Sequence, residues 1–317
     1  MSKIKYLFFV CVLLIGALHA EQKKVKAYTQ AGELYPIENL PNMLVTEFVF
    51  GQVKFLKKGI VDQTWASYGK CQDAWKLDDN SVLVSGVNGV WHYDENNTRK
   101  LLFEPKKRPL EIHSCQPLED GYVLIAVNGP KVLLEISAEG KIRKMIKLPY
   151  LRSQVRSQMK MVRKLDNGGY IISASGENKV YILNAKGAVQ RTIDLNALKA
   201  PLKADRIHGV KMLANGNVLI GTGYGACLVE VDSKDQVVWS LNPADIPDVN
   251  LKYVGGFQVK ENGNMVVAAY DSSYPLFEVN REKEIIWKLE RSEESDIKKP
   301  TNVVLLGDDI EGFAANY

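Results

Sequence analysis

The chain has 317 residues, 41 Lys+Arg against 37 Asp+Glu, and 46% hydrophobic residues. A formal net charge of +4 on that length excludes general electrostatic attraction to nucleic acid or anionic lipid. Four cysteines are too few for a disulfide scaffold, and the length suits one large all-β domain or two average ones.

Lys3 and Lys5 precede an apolar run from Tyr6 to Leu18, and Ala17-Leu18-His19-Ala20 offers a small residue before Glu21. Residues 1–20 therefore read as a signal peptide. The run is short of the about 20 apolar residues of a membrane span, which leaves an uncleaved N-terminal anchor as the alternative. Cys11 lies inside the run and no cysteine marks the cleavage point, so a lipid anchor is not expected. Cleavage leaves 297 residues with 39 basic and 37 acidic side chains and no second long apolar run. The expectation is a periplasmic or secreted protein with no membrane span after cleavage and no nucleic-acid partner. It is expected to be a monomer. Residues 21–42 form an N-terminal extension ahead of the repeats. Three cysteines remain, Cys71, Cys115 and Cys227. The first two fall near the starts of consecutive repeats, which leaves a bridge open, and buried thiols are the simpler reading.

From Leu77 onward one phrase recurs: LDDNSVLV at Leu77, LEDGYVLI at Leu118, LDNGGYII at Leu165, LANGNVLI at Leu213 and KENGNMVV at Lys260. A degenerate LLGDD places its matching leucine at Leu306. The intervals are 41, 47, 48, 47 and 46 residues. Each unit reads as a strand, an Asn-Gly or Asp-Gly turn, two alternating strands, a polar turn and a fourth strand. That period and content are those of propeller blades. The turns supply the positive φ that a hairpin needs. Trp239 and Trp287, and in a third copy Trp65, close fourth strands, where large aromatics fill the wedge between blades.

The ends are incomplete in complementary ways. Pro300–Leu306 is an inner strand with little after it, whereas 43–65 carries three outer strands and lacks an inner one. Joined, they complete a blade and remove an open sheet edge. The expectation is an all-β, single β-propeller over 43–317, with six four-stranded blades closed by pairing of the N- and C-terminal strands. Further strands from 21–34 would make it seven.

The turn with Asn-Gly, the V/I-L-I strand, the Glu-Val-Asp strand and the closing V-V-W together resemble exported bacterial β-propellers of the quinoprotein alcohol dehydrogenase-like and arylsulfotransferase-like repeat group. The resemblance runs from about Met43 to Asp309 and rests on turn and core residues, so it implies a fold and not a function.

Inner strands line the channel of a propeller, and ligands bind at its mouth. Five residues before each aligned position stand Gln72, His113, Lys160, His208, Gly255 and Thr301. Arg156, Arg206, Tyr253 and Lys299 lie near them. Gln72, His113, Arg156, Lys160, Arg206, His208 and Tyr253 are thus the candidate ligand-binding residues, and their basic character suits a small anionic ligand, a carboxylate-bearing chain end or a protein partner. Two histidines with a blade between them and no third ligand make no metal centre, and no cofactor slot is evident. No G-x-S-x-G occurs, and Gly221, Gly223 and Gly225 lie between strands with no helix to follow, so they read as a turn rather than a phosphate loop. The reading is a non-catalytic binding propeller. The alternatives are an enzyme at the same mouth, by arylsulfotransferase-like group transfer or quinone-dependent oxidation, and a scaffold in an envelope complex. An enzyme requires His113 and His208 to converge with an arginine in one pocket.

Overall fold

The repeat phrase closes the same turn in its five full copies. Asn80, Gly121, Gly168, Gly216 and Gly263 all have φ between 64° and 83°. Each donates its N–H to the carbonyl three residues back, on Leu77, Leu118, Leu165, Leu213 and Lys260. The residue before the positive-φ position accepts from the N–H two residues on, as when Asn215 Oδ1 takes Asn217 N–H at 2.9 Å and Asn262 Oδ1 takes Asn264 N–H at 3.0 Å. The glycine thus supplies the left-handed residue of a three-residue hairpin loop, and the Asn or Asp before it pins the exit.

The computed structural model describes residues 23–67, 69–104, 110–198, 203–292 and 297–307. The expected signal peptide lies outside them. Six antiparallel sheets follow in chain order. Blade 1 holds Cys71–Lys76, Val82–Gly86, Gly89–Tyr93 and Arg99–Phe103, and blade 2 runs from Glu111–Pro117 to Ile142–Lys147. Blade 3 runs from Val162–Lys164 to Val189–Asp194, blade 4 from Val210–Met212 to Val237–Leu241, and blade 5 from Phe257–Val259 to Ile285–Leu289. Blade 6 joins the ends of the chain: Pro300–Leu306 is its inner strand and pairs with Asn42–Glu47, followed by Gln52–Lys57 and Ile60–Ala66. The extension makes no seventh blade. Its two-residue strand Ala27–Tyr28 adds a fifth strand to blade 5, opposite Lys288 and Leu289, with Val25 and Ala27 buried.

Apolar clusters fill the wedges between blades. Trp65 packs where blades 6 and 1 meet, Trp239 between blades 4 and 5, and Trp287 between blade 5 and the N-terminal strands. Third-strand glutamates tie blades together. Glu135 of blade 2 accepts from Lys164 at 2.7 Å and Tyr170 at 2.7 Å on blade 3, and Glu230 of blade 4 pairs with Arg281 of blade 5. These acids are structural. His92, on a third strand, contacts Ser81 at 2.8 Å. Cys71, Cys115 and Cys227 are buried free thiols.

Candidate functional site

The inner strands do not run straight through the channel mouth. In blade 1 the register passes from Cys71 to Asp73, in blade 2 from Ile112 to Ser114, and in blade 6 from Pro300 to Asn302. Gln72, His113 and Thr301 are the extra residues of three β-bulges. In the other blades the equivalent residues sit just ahead of the regular strand, and Lys160, His208 and Gly255 donate to the carbonyls of Ser173, Gly221 and Ala268. A bulge re-aims one side chain without ending the sheet. In blades 1, 2 and 6 it turns this position towards the axis.

The result is a cavity of about 560 Å³. All seven residues singled out from the sequence line it, joined by Phe48, Lys70, Glu111, Tyr224 and Tyr270. Four basic side chains, Lys70, Arg156, Lys160 and Arg206, face one carboxylate, Glu111. The Lys160 ammonium has no hydrogen bond or ion pair among the described residues; its Nζ stands 5.9 Å from the Phe48 ring centroid, and Lys70 Nζ stands 5.1 Å from it. Burial, reinforced by repulsion from Arg206, Lys70 and Arg156, lowers the Lys160 amine to about 8 against the attraction of Glu111.

His113 and His208 are both buried and differ in their partners. His113 Nε2 lies 2.8 Å from Glu111 Oε2, whose other oxygen accepts from Arg156 Nε at 3.1 Å. Asn128 Nδ2 lies 3.2 Å from His113 Nδ1. A neutral ring that donates from Nε2 to Glu111 accepts at Nδ1 from Asn128, and the Met159 carbonyl, 3.1 Å from Nδ1, takes its hydrogen bond from Asn128 Nδ2 at 3.0 Å. Burial and the Lys160 charge push His113 down to about 4, which keeps it neutral. Burial opposes the charge on Glu111, but His113 and Arg156 hold its carboxyl below the usual range. His208 Nδ1 meets the Tyr253 hydroxyl at 2.8 Å, and its Nε2 has no partner among the described residues. Burial, Lys160 and His113 hold His208 well below the ordinary histidine value.

The cations stand against an aromatic wall, Lys70 and Lys160 over Phe48 and Arg206 over Tyr224. Tyr253 packs edge to face on Tyr224 with centroids 4.8 Å apart and on Tyr270 at 5.8 Å, and Phe48 meets Tyr270 at 6.5 Å. Next to Gln72 in the chain is one half of a buried ion pair. Asp73, one residue past Gln72, accepts from Arg163 at 2.8 and 3.2 Å, from Ser114 at 3.2 Å and from Asn302 at 2.8 Å. Blades 1, 2, 3 and 6 thus meet at one carboxylate. Gln72 takes no part. It is 2% exposed, and neither its amide nitrogen nor its amide oxygen has a hydrogen-bond partner.

The GTGYG segment builds the wall. Gly223 has φ 63°, exchanges backbone hydrogen bonds with Val254, and would place a Cβ 2.1 Å from the Arg206 carbonyl oxygen. A Cβ on Gly225 would stand 1.8 Å from the carbonyl oxygen of Lys203. These glycines allow close backbone approach that fixes Tyr224, Tyr253 and Arg206, itself at φ 59°. Gly223→Ala combines positive φ with a backbone clash and lowers stability by about 2–3 kcal/mol. A change in unfolding midpoint under a few tenths of a kcal/mol would contradict this.

Sequence reasoning missed Glu111, Lys70, Phe48, Tyr270 and the Asp73 centre. Glu111 and Lys70 each lie two residues before a ring position, which is the signal that leads to them. Phe48 and Tyr270 sit, like Tyr224, on the loops between second and third strands.

The chain is a six-bladed β-propeller with a basic, aromatic-walled channel mouth. No family model matches its sequence, and no curated protein sequence matches it either. Solved structures do resemble it. A protein of unknown function from Bacteroides caccae superposes with a TM-score of 0.69 at 18% identity, over 83% of this chain and 98% of that one. Streptogramin B lyase gives 0.59 at 10% identity, over 86% and 89%. A catalytically inactive histidine-to-alanine virginiamycin B lyase from Staphylococcus aureus, solved with quinupristin, gives 0.54 at 10% identity, over 86% and 96%. At these identities the likeness is one of fold.

Proposed function

We propose that the protein is an exported, periplasmic or secreted propeller of the quinoprotein alcohol dehydrogenase-like and arylsulfotransferase-like repeat group, and that it binds a small anionic ligand at the mouth carrying His113, Lys160 and His208. The signal-like N-terminus supports export, and the repeat phrase supports the group. One observation carries the ligand reading: a partly buried ammonium group with no ion pair among the described residues, beside three further cations and a single carboxylate. Burying a charge unpaired costs stability, and an anion bound there repays it. The aromatic wall suits a ligand with an apolar body. Rigid display of the ring is enough for binding, and neither metal nor cofactor is required.

Lys160→Met tests the reading, because function and stability move in opposite directions. The variant gains about 1–2 kcal/mol of stability at neutral pH, since the cost of burying the ammonium is removed. It binds aromatic anions such as phenyl phosphate about tenfold or more weakly by titration calorimetry. The pH dependence has a definite sign. The ligand selects the protonated amine, so wild-type affinity falls as pH rises through about 8. Folding stability rises over the same range, because the unfolded lysine stays protonated to higher pH than the folded one. Affinity that ignores both the substitution and the pH takes Lys160 out of the site.

Group transfer is the second reading. His113, His208, Arg156 and Arg206 line one cavity, as an enzyme requires. His208 is the group suited to attack, with Nδ1 held by Tyr253 and Nε2 free in a neutral ring. Release of phenol from a sulfated phenol, lost in His208→Ala, supports it; an intact donor after prolonged incubation rejects it.

A further inference from the structure

Resting on the anion-binding reading, we infer that the ligand carries an amide beside its anionic group, as an N-acylated amino acid or a peptide C-terminus does. Gln72 is the extra residue of a bulge in the first strand of blade 1, 2% exposed, and it lines the same cavity as Lys160 and Arg206. Both polar atoms of its side chain are buried without a partner. Exchanging the positions of oxygen and nitrogen leaves the same result, because neither atom is satisfied. Leaving such a donor and acceptor unmade is costly, and a buried polar group of this kind asks for an explanation. The group that answers it offers an acceptor and a donor together. An anion alone fills only the donor. An amide fills both, through its carbonyl oxygen to the Gln72 N–H and its own N–H to the Gln72 carbonyl.

The neighbours fix the rest of the ligand. Blade 3 places Lys160 two positions round the ring from Gln72, so a carboxylate on the ammonium and an amide on Gln72 span the mouth together. The aromatic wall takes the side chain. Its rings meet edge to face, with Tyr224 and Tyr270 inclined at 75° and 70° to Tyr253. That arrangement seats a rotatable apolar side chain better than a flat base, which needs parallel faces.

Four probes separate the parts: N-acetyl-L-phenylalanine, 3-phenylpropionate, which lacks the amide, N-acetyl-L-phenylalanine amide, which lacks the carboxylate, and uridine monophosphate, whose base edge also offers a donor and an acceptor. Calorimetry on the wild type shows N-acetyl-L-phenylalanine binding about tenfold or more tightly than 3-phenylpropionate. In Gln72→Leu that advantage collapses to about twofold or less, while 3-phenylpropionate binds as before. The amide-capped compound is weak in both proteins. A second measurement uses the unaltered chain: N-acetyl-L-phenylalanine shifts the side-chain amide resonances of Gln72, and 3-phenylpropionate leaves them in place. Equal binding of N-acetyl-L-phenylalanine and 3-phenylpropionate to the wild type overturns the amide inference and leaves the anion site standing. Gln72-dependent preference for uridine monophosphate overturns the inference in favour of a base edge. Failure of every anion, with unshifted resonances, removes the anion reading as well.

Discussion

Asp73→Leu lowers the stability of the folded chain by about 3–5 kcal/mol, the cost of removing one partner of a buried ion pair. The carboxylate is 1% exposed, and its oxygens take four side-chain hydrogen bonds, from Arg163 at 2.8 and 3.2 Å, Asn302 at 2.8 Å and Ser114 at 3.2 Å. The backbone N–H of Cys115 adds a fifth at 3.3 Å. Without it the guanidinium of Arg163 is left against the Trp75 ring, 4.9 Å from its centroid, with no counter-ion. Asn302 loses the acceptor of its Nδ2, and its Oδ1 already lacks a partner. Urea denaturation followed by tryptophan fluorescence measures the loss. The double variant Asp73→Leu with Arg163→Met recovers much of it, because the unpaired charge, rather than the missing hydrogen bonds, is the larger penalty. A single variant within about 1 kcal/mol of wild type would mean that Asp73 is not the common anchor of these blades.

The contrast between Gln72 and Asp73 shows how far the sequence could be read. Gln72, His113, Lys160 and His208 were reachable by counting, because the repeat leucine and the glycine turn fix the phase of every inner strand and the bulge recurs at the same distance from them. The count worked without knowledge of the bulge, which is a backbone feature with no residue signature of its own. Asp73 stands beside Gln72 in CQDAWK with nothing in the local pattern to mark it. Its partners Arg163 and Asn302 are 90 and 229 residues away, and no local pattern announces a contact at that range. Phe48 and Tyr270 escaped for a related reason: both sit on loops between strands, where the repeat imposes no constraint. The six-blade count was legible because two incomplete pieces at the ends were complementary. What the two residues at Ala27–Tyr28 would do was not, since a pair of residues carries no strand pattern.

A chain ending at Lys299 loses cooperative folding, whereas one ending at Gly307 keeps every strand described above. Pro300–Leu306 is the inner strand of blade 6 and pairs along its length with Asn42–Glu47. Val303, Val304 and Leu305 are almost completely buried, and at about 1.5–3 kcal/mol for each buried apolar side chain their loss removes on the order of 5–9 kcal/mol. A folded domain holds only about 5–15 kcal/mol in all. The strand also closes the ring: Gly256 of blade 5 donates to the Thr301 carbonyl at 2.7 Å, and Asn302 reaches Asp73 of blade 1. Its removal opens both seams and exposes an unpaired edge on Asn42–Glu47, a site for aggregation. Removing residues up to Leu40 is milder, because the strand Ala27–Tyr28 adds to the outside of blade 5 and leaves the ring shut. Circular dichroism in the aromatic region during thermal unfolding separates the cases. A synthetic peptide of residues 297–307 added to the chain ending at Lys299 restores the transition saturably, as expected if the missing energy resides in that strand. A sharp transition near the wild-type midpoint without the peptide would place the closure of the ring elsewhere, and the channel mouth would then not depend on the joined ends.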